Sequence, residues 1–150
     1  MKNKLNINNT IKAITSQWQA QPGALLREID DLEKSIHKKL PNDYRSFLQW
    51  SNGGNCKFSN IYIDLWPAGL VEKLNQEYQI SKYLGVSYVG IGTDGGSICI
   101  ALDYTSTQPQ ICTFDLGDID LSRVNQIGKT FSETIDMAIA GSLTELNVYQ

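Results

Sequence analysis

The sequence predicts an α+β fold, a single domain in which helices pack around an antiparallel β-meander sheet. Three observations predict it. Apolar residues recur at helical spacing over residues 25–51, and then from Val86 the period changes to two. Three strand-like segments follow one another, Val86–Ile91, Ser97–Tyr104 and Gln110–Leu116. The links between them are short and rich in turn residues, so neighbouring segments must run antiparallel.

The chain has 150 residues, which suits one domain, and no internal repeat, linker or low-complexity tract divides it. Hydrophobic residues make up 41% and charged residues 19%, the balance of a globular rather than a disordered chain.

Residues 1–20 read as an N-terminal extension, polar and Asn-rich at first. Ile7, Ile11, Ile14 and Trp18 share helical spacing, which allows a short helix there. Gln21-Pro22-Gly23 breaks it, and residues 21–150 form the domain proper. In ALLREIDDLEKSIHKKL, Leu25, Ile29, Leu32, Ile36 and Leu40 step by four, three, four and four, one apolar stripe of a helix. LPNDYRSFLQWSNGG then opens with Pro41, suited to a first helical position because its missing N–H would be unsatisfied anyway. Leu40, Tyr44, Phe47, Leu48 and Ser51 fall on one face, and Gly53-Gly54 allow the positive φ that ends a helix.

Ile61, Ile63 and Leu65 alternate with Tyr62, Asp64 and Trp66, as in a half-buried strand. Pro67 starts another helix, with Leu70, Val71, Leu74 and Tyr78 predicted on its apolar face. The meander follows, rich in β-branched and aromatic residues. A last helix begins where Thr130 and Glu133 match a capping box, and Phe131, Ile135, Ala138 and Ile139 make its apolar face.

Composition excludes several functions. Net charge is −3 and the pI about 5.1, the wrong sign for a general nucleic-acid or anionic-membrane binder. No window approaches the roughly 20 apolar residues of a membrane span. The N-terminus, MKNKLNINNT, has no apolar run of the secretory kind. Cys56, Cys99 and Cys112 are odd in number and lack CxxC spacing, so neither a disulfide framework nor a zinc site is expected, and free thiols fit a reducing cytoplasm.

Chemistry-bearing motifs fare no better. Gly90-Ile91-Gly92-Thr93-Asp94-Gly95 fits GxGxxG, but that pattern binds a pyrophosphate only when a helix follows. A strand-like run follows here, so Asp94 and Gly95 read as a hairpin turn. His37 is the single histidine and flanks a charged helix, where a solvated position is expected. Asp103 lies late in a strand, out of phase with Ile98, Ile100 and Leu102, and is expected to face water or bond a nearby turn. Asp115, Asp118 and Asp120 resemble a calcium loop only until its sixth and twelfth positions, filled here by Asp120 and Gln126 instead of glycine and glutamate. No catalytic set, metal cluster or cofactor loop survives. Trp50 lies near the core edge of its helix and reads as a packing residue.

LPNDYRSFLQWSNGG resembles the signature of the SUKH superfamily, the Smi/Knr-like domain. REIDDLEKSIHKKL is similar to the helix that precedes that signature. VGIGTDGGSICIALDY resembles its glycine-turn hairpin ending in an aspartate, and IGKTFSETIDMAI its closing helix. The resemblance spans about residues 25–140, and Ser97 departs slightly from it where a third small residue and an amide or acid are common. It implies a binding protein with no shared catalytic constellation. Bacterial members are regarded as immunity proteins that bind and block a cognate toxin, often a nuclease or another enzyme. Eukaryotic relatives act as regulatory binding proteins, so a regulatory or scaffold module is the alternative.

Charge placement suggests where a partner would land. No Lys or Arg lies between Lys82 and Arg123, an interval that holds Asp94, Asp103, Asp115, Asp118 and Asp120. Such a stretch is either a solvated loop region or a face that steers a basic partner. Asp94, Asp115, Asp118 and Asp120 are therefore the candidate contact residues. Trp66 joins them: it is out of phase with its strand, so it either covers the adjoining helix start or sits on the surface, and tryptophan is enriched at interface centres.

Overall fold

A computed structural model describes residues 2–149, and the side chains of residues 7–148. Helix α1 (Lys2–Ile14) is followed by α2 (Leu26–Ile36) and α3 (Asn42–Trp50). Strands β1 (Gly54–Lys57) and β2 (Tyr62–Leu65) lead to α4 (Ala68–Glu77) and α5 (Ile80–Leu84). Strands β3 (Tyr88–Thr93), β4 (Ile98–Asp103), β5 (Gln110–Asp115) and β6 (Asn125–Gly128) precede α6 (Phe131–Ala140) and α7 (Glu145–Tyr149). The strands form one six-stranded sheet in the order β1-β2-β3-β4-β5-β6, antiparallel throughout. The fold is thus the expected α+β meander, with two more strands than the sequence pattern revealed.

Strand β4 is buried at all six positions, because both faces of the sheet are covered at its centre. Strand β2 reaches β3 only at Asp64↔Thr93 and Leu65↔Gly92. Beyond that, the Asn75 side chain of α4 takes both backbone groups of Gly90, each at 2.8 Å, and closes the edge of β3.

The signature helix anchors the helical layer. Tyr44 and Phe47 are fully buried and their rings each lie 5.2 Å from that of Phe131 at the start of α6. Burial drives the Tyr44 hydroxyl pKa upward. Asp43, 2% exposed, accepts hydrogen bonds from the Tyr44 N–H at 2.8 Å and the Ser132 N–H at 2.9 Å. One carboxylate therefore serves the N-termini of both α3 and α6. The first residues join the same core: Ile7 and Ile14 are buried, α1 packs on α3 and α6, and Gln19 bridges to Asn55 of β1.

Local chemistry differs from expectation at four places. Pro41 sits at the N-cap of α3 with φ −58° and ψ 144°, one residue before the first turn. Leu25 is exposed at the N-cap of α2, where Glu28 reaches back to its N–H at 2.8 Å. Leu70 and Tyr78 are partly exposed, since α4 buries the narrower stripe of Ala68 and Val71 while it packs on α2 and β3. Gly53 and Gly54 do take positive φ, but Ser51 caps α3 and Gly54 already begins β1. A Cβ at Gly54 would stand 2.5 Å from Trp18 Nε1.

Candidate protein-binding face

In a sequential antiparallel meander the β1–β2, β3–β4 and β5–β6 links all fall at one end of the sheet. Register brings the last two together: Ile98 pairs with Asp115, and the Leu116 N–H donates to Ser97 O at 2.8 Å. Asp94, Asp115, Asp118 and Asp120 are thereby gathered at that end, although up to 26 positions separate them in sequence.

Each aspartate also shapes its own turn. Asp94 Oδ1 accepts from the Gly96 N–H at 2.9 Å and the Ile98 N–H at 3.3 Å. Gly95 has φ +87°, and a Cβ there would lie 2.5 Å from the Tyr62 ring, so the turn requires glycine. Asp115 Oδ1 accepts from the Gly117 N–H at 2.8 Å. Asp120 Oδ1 accepts from the Ser122 N–H at 3.0 Å and the Ser122 hydroxyl at 2.8 Å, capping the 3-10 turn Leu121–Arg123. The Ser122 hydroxyl first, and then its N–H, hold the Asp120 carboxyl below the usual carboxylate range. Among the described residues, Oδ2 of Asp94, Asp115 and Asp120 has no hydrogen-bond partner. One oxygen of each builds the loop and the other is left unbonded among the described residues.

Asp118 differs. Arg123 Nη1 donates to its Oδ2 at 2.6 Å, an exposed pair that offsets one charge of the face. The basic residue that closes the Lys-free interval thus folds back onto it. Leu121 stands among these carboxylates with 54% of its surface exposed. Sequence reasoning missed it, because a lone leucine between Asp120 and Ser122 carries no periodic signal.

Trp66 is not brought to this end. It is 9% exposed, its N–H donates to Ile91 O at 2.9 Å, and its ring stacks on Tyr78 at 6.3 Å with 10° between planes. Asp103 is 2% exposed and accepts from the Thr105 N–H at 2.8 Å, the Thr105 hydroxyl at 2.7 Å and the Gln126 side chain. Of the two expected environments it takes the turn and not water. His37 is exposed at the C-cap of α2 with φ +58°. Trp18 is buried edge-on to Phe47 at 5.2 Å, and Trp50 is half-buried against the same ring at 5.4 Å.

The glycine turn is followed by β4, so the hairpin reading of GxGxxG holds. Among the described residues, no three His, Cys, Asp or Glu side chains converge as metal ligands. All three cysteines are buried and unpaired, and burial raises the thiol pKa of each. Among the described residues no helix is long and apolar enough to cross a membrane.

The molecule is thus a helix-backed meander whose polar groups serve turns and caps, with aspartates gathered at one end. The profile of the SMI1 / KNR4 family (SUKH-1) matches residues 23–137, and the chain belongs to that family. A search of curated proteins found no significant match.

Proposed function

We propose that this protein binds and neutralises a cognate bacterial toxin through protein–protein contact, as an immunity protein acting in the cytoplasm. Family membership supports the class, which includes immunity-type proteins. The observation that carries the reading further is the end of the sheet where Asp94, Asp115 and Asp120 each keep one carboxylate oxygen unpartnered among the described residues. That face complements a basic toxin domain, such as a nuclease that must itself bind nucleic acid. Steering by these charges governs association, and the exposed Leu121 supplies an apolar anchor within them. Inhibition follows from occlusion of the toxin's active site or an adjoining surface and needs no catalysis, cofactor or metal from this chain.

The test is co-expression with the toxin encoded beside this gene. Cells are expected to survive with the wild-type chain and to die without it. Killing that is undiminished by co-expression contradicts the reading. A gene without a toxin neighbour, whose product captures only housekeeping proteins, would favour the regulatory alternative.

A further inference from the structure

A recess away from the acidic end takes no part in that reading. It lies between the end of α2, the middle of α4 and the start of β3, with a volume of about 230 Å³. That is room for several waters or one long side chain. Ile36 and Tyr88 supply apolar walls and Glu72 a polar one, with Gln76, Ser81 and Val86 exposed at the rim.

Glu72 is the informative residue. It is half-buried, and among the described residues its carboxylate has neither an ion pair nor a hydrogen bond. Its own helix offers no cation at pairing distance, since Ala68, Gly69, Asn75 and Gln76 occupy the positions three and four away. Asn75 is committed to Gly90 and Val71. Lys82 of neighbouring α5 lies over the Tyr83 ring at 5.5 Å. His37 stands at the rim of the recess. A carboxylate against apolar walls is best satisfied by a cation on an aliphatic stem, with the stem on the walls and the charge on the acid.

We propose that this recess receives an arginine side chain from a partner protein. Arginine fits better than lysine, because its planar fork can meet both carboxylate oxygens and guanidinium planes stack on aromatic rings such as that of Tyr88 in the wall. The rim has the chemistry of a protein contact, since the apolar Val86 there is 74% exposed. The inference rests on this chain being a protein-binding module and not on its partner being a toxin.

The test is an amide-resolved NMR titration of the full chain with acetyl-Gly-Arg-Gly-amide. A second arm uses the same peptide carrying citrulline, which keeps the shape and removes the charge. Signals of Ser81, Val86, Tyr88 and the Gln76 side chain should move. Affinity should fall at least about tenfold with citrulline and in Glu72→Gln, as expected for loss of a charge-assisted pair. Equal binding of the citrulline peptide, undiminished binding by Glu72→Gln, shifts confined to the acidic end, or no shift at all would each overturn the proposal. Each outcome is independent of the co-expression result, so the two readings fail separately.

Discussion

The two ends of the sheet are held in different ways. At one end Asp94, Asp115, Asp118 and Asp120 stand on the β3–β4 turn and the β5–β6 link. At the other, the β4–β5 turn meets the α2–α3 joint, where Lys38 and Lys39 lie. The Lys38 ammonium sits 5.6 Å from the Tyr104 ring centroid, and the Tyr104 hydroxyl donates to Lys39 O at 2.9 Å. That end is therefore tied to the sheet through Tyr104, which takes the Lys38 ammonium over its ring and the Lys39 backbone carbonyl on its hydroxyl. At the acidic end each turn-forming aspartate spends a single oxygen on the fold. The difference teaches that a charge can build a loop and remain available to a partner, provided the two tasks fall on different atoms.

The largest effect comes from removing what both ends share. Phe47→Ala deletes a fully buried ring packed on Trp18, Trp50 and Phe131, and should lower stability by about 3–5 kcal/mol in chemical denaturation. Both ends should lose order together, and separate transitions would break the picture of one scaffold. Asp43→Ala should lower stability by about 1–3 kcal/mol, because the buried Ser132 N–H loses its acceptor. A sharper comparison sets Asp115→Ala beside Asp115→Asn. Alanine should lower stability by about 0.5–1.5 kcal/mol by removing the acceptor for Gly117, whereas asparagine keeps that acceptor and should change little.

The smallest effect is a pH dependence at the acidic end. Asp64, paired with Thr93 beside the glycine turn, has its carboxyl pKa raised by burial. A raised folded-state pKa means the folded chain holds this proton more tightly than the unfolded chain. The contribution favours folding at pH below the ordinary carboxylate range and is lost as pH rises through the raised value. Asp64→Asn should therefore stabilise slightly at neutral pH, with the gain vanishing in acid. A gain that grew on acidification would contradict the assignment.

Much of this arrangement could be read before any coordinates. Helices α3 and α6 announced themselves because their apolar spacing and caps are local: Thr130 Oγ1 does accept from the Glu133 N–H, at 3.0 Å. Strands β3 to β5 were visible through their period and turn residues. Strands β1, Gly-Asn-Cys-Lys, and β6, Asn-Gln-Ile-Gly, were not, because pairing with a neighbour rather than their own four residues makes them strands. Helix α5 was hidden for a similar reason, following Gln79 at φ +57°. The aspartates were visible as a charge run, but their convergence depends on the Ile98↔Asp115 register, which no local pattern encodes. Trp66 was ambiguous because its environment is set by Tyr78, twelve residues onward and across a helix.

The most direct measurement is the association rate of Asp94→Asn/Asp115→Asn/Asp120→Asn with the neighbouring toxin across a range of salt. Asparagine keeps the turn acceptors and removes only the charge. The rate should fall about tenfold or more at low salt, with a shallower salt dependence and a nearly unchanged dissociation rate. Lys38→Gln/Lys39→Gln, at the opposite end, should not slow association. An association rate and salt slope that match wild type in the triple variant would show that the partner does not land on this face.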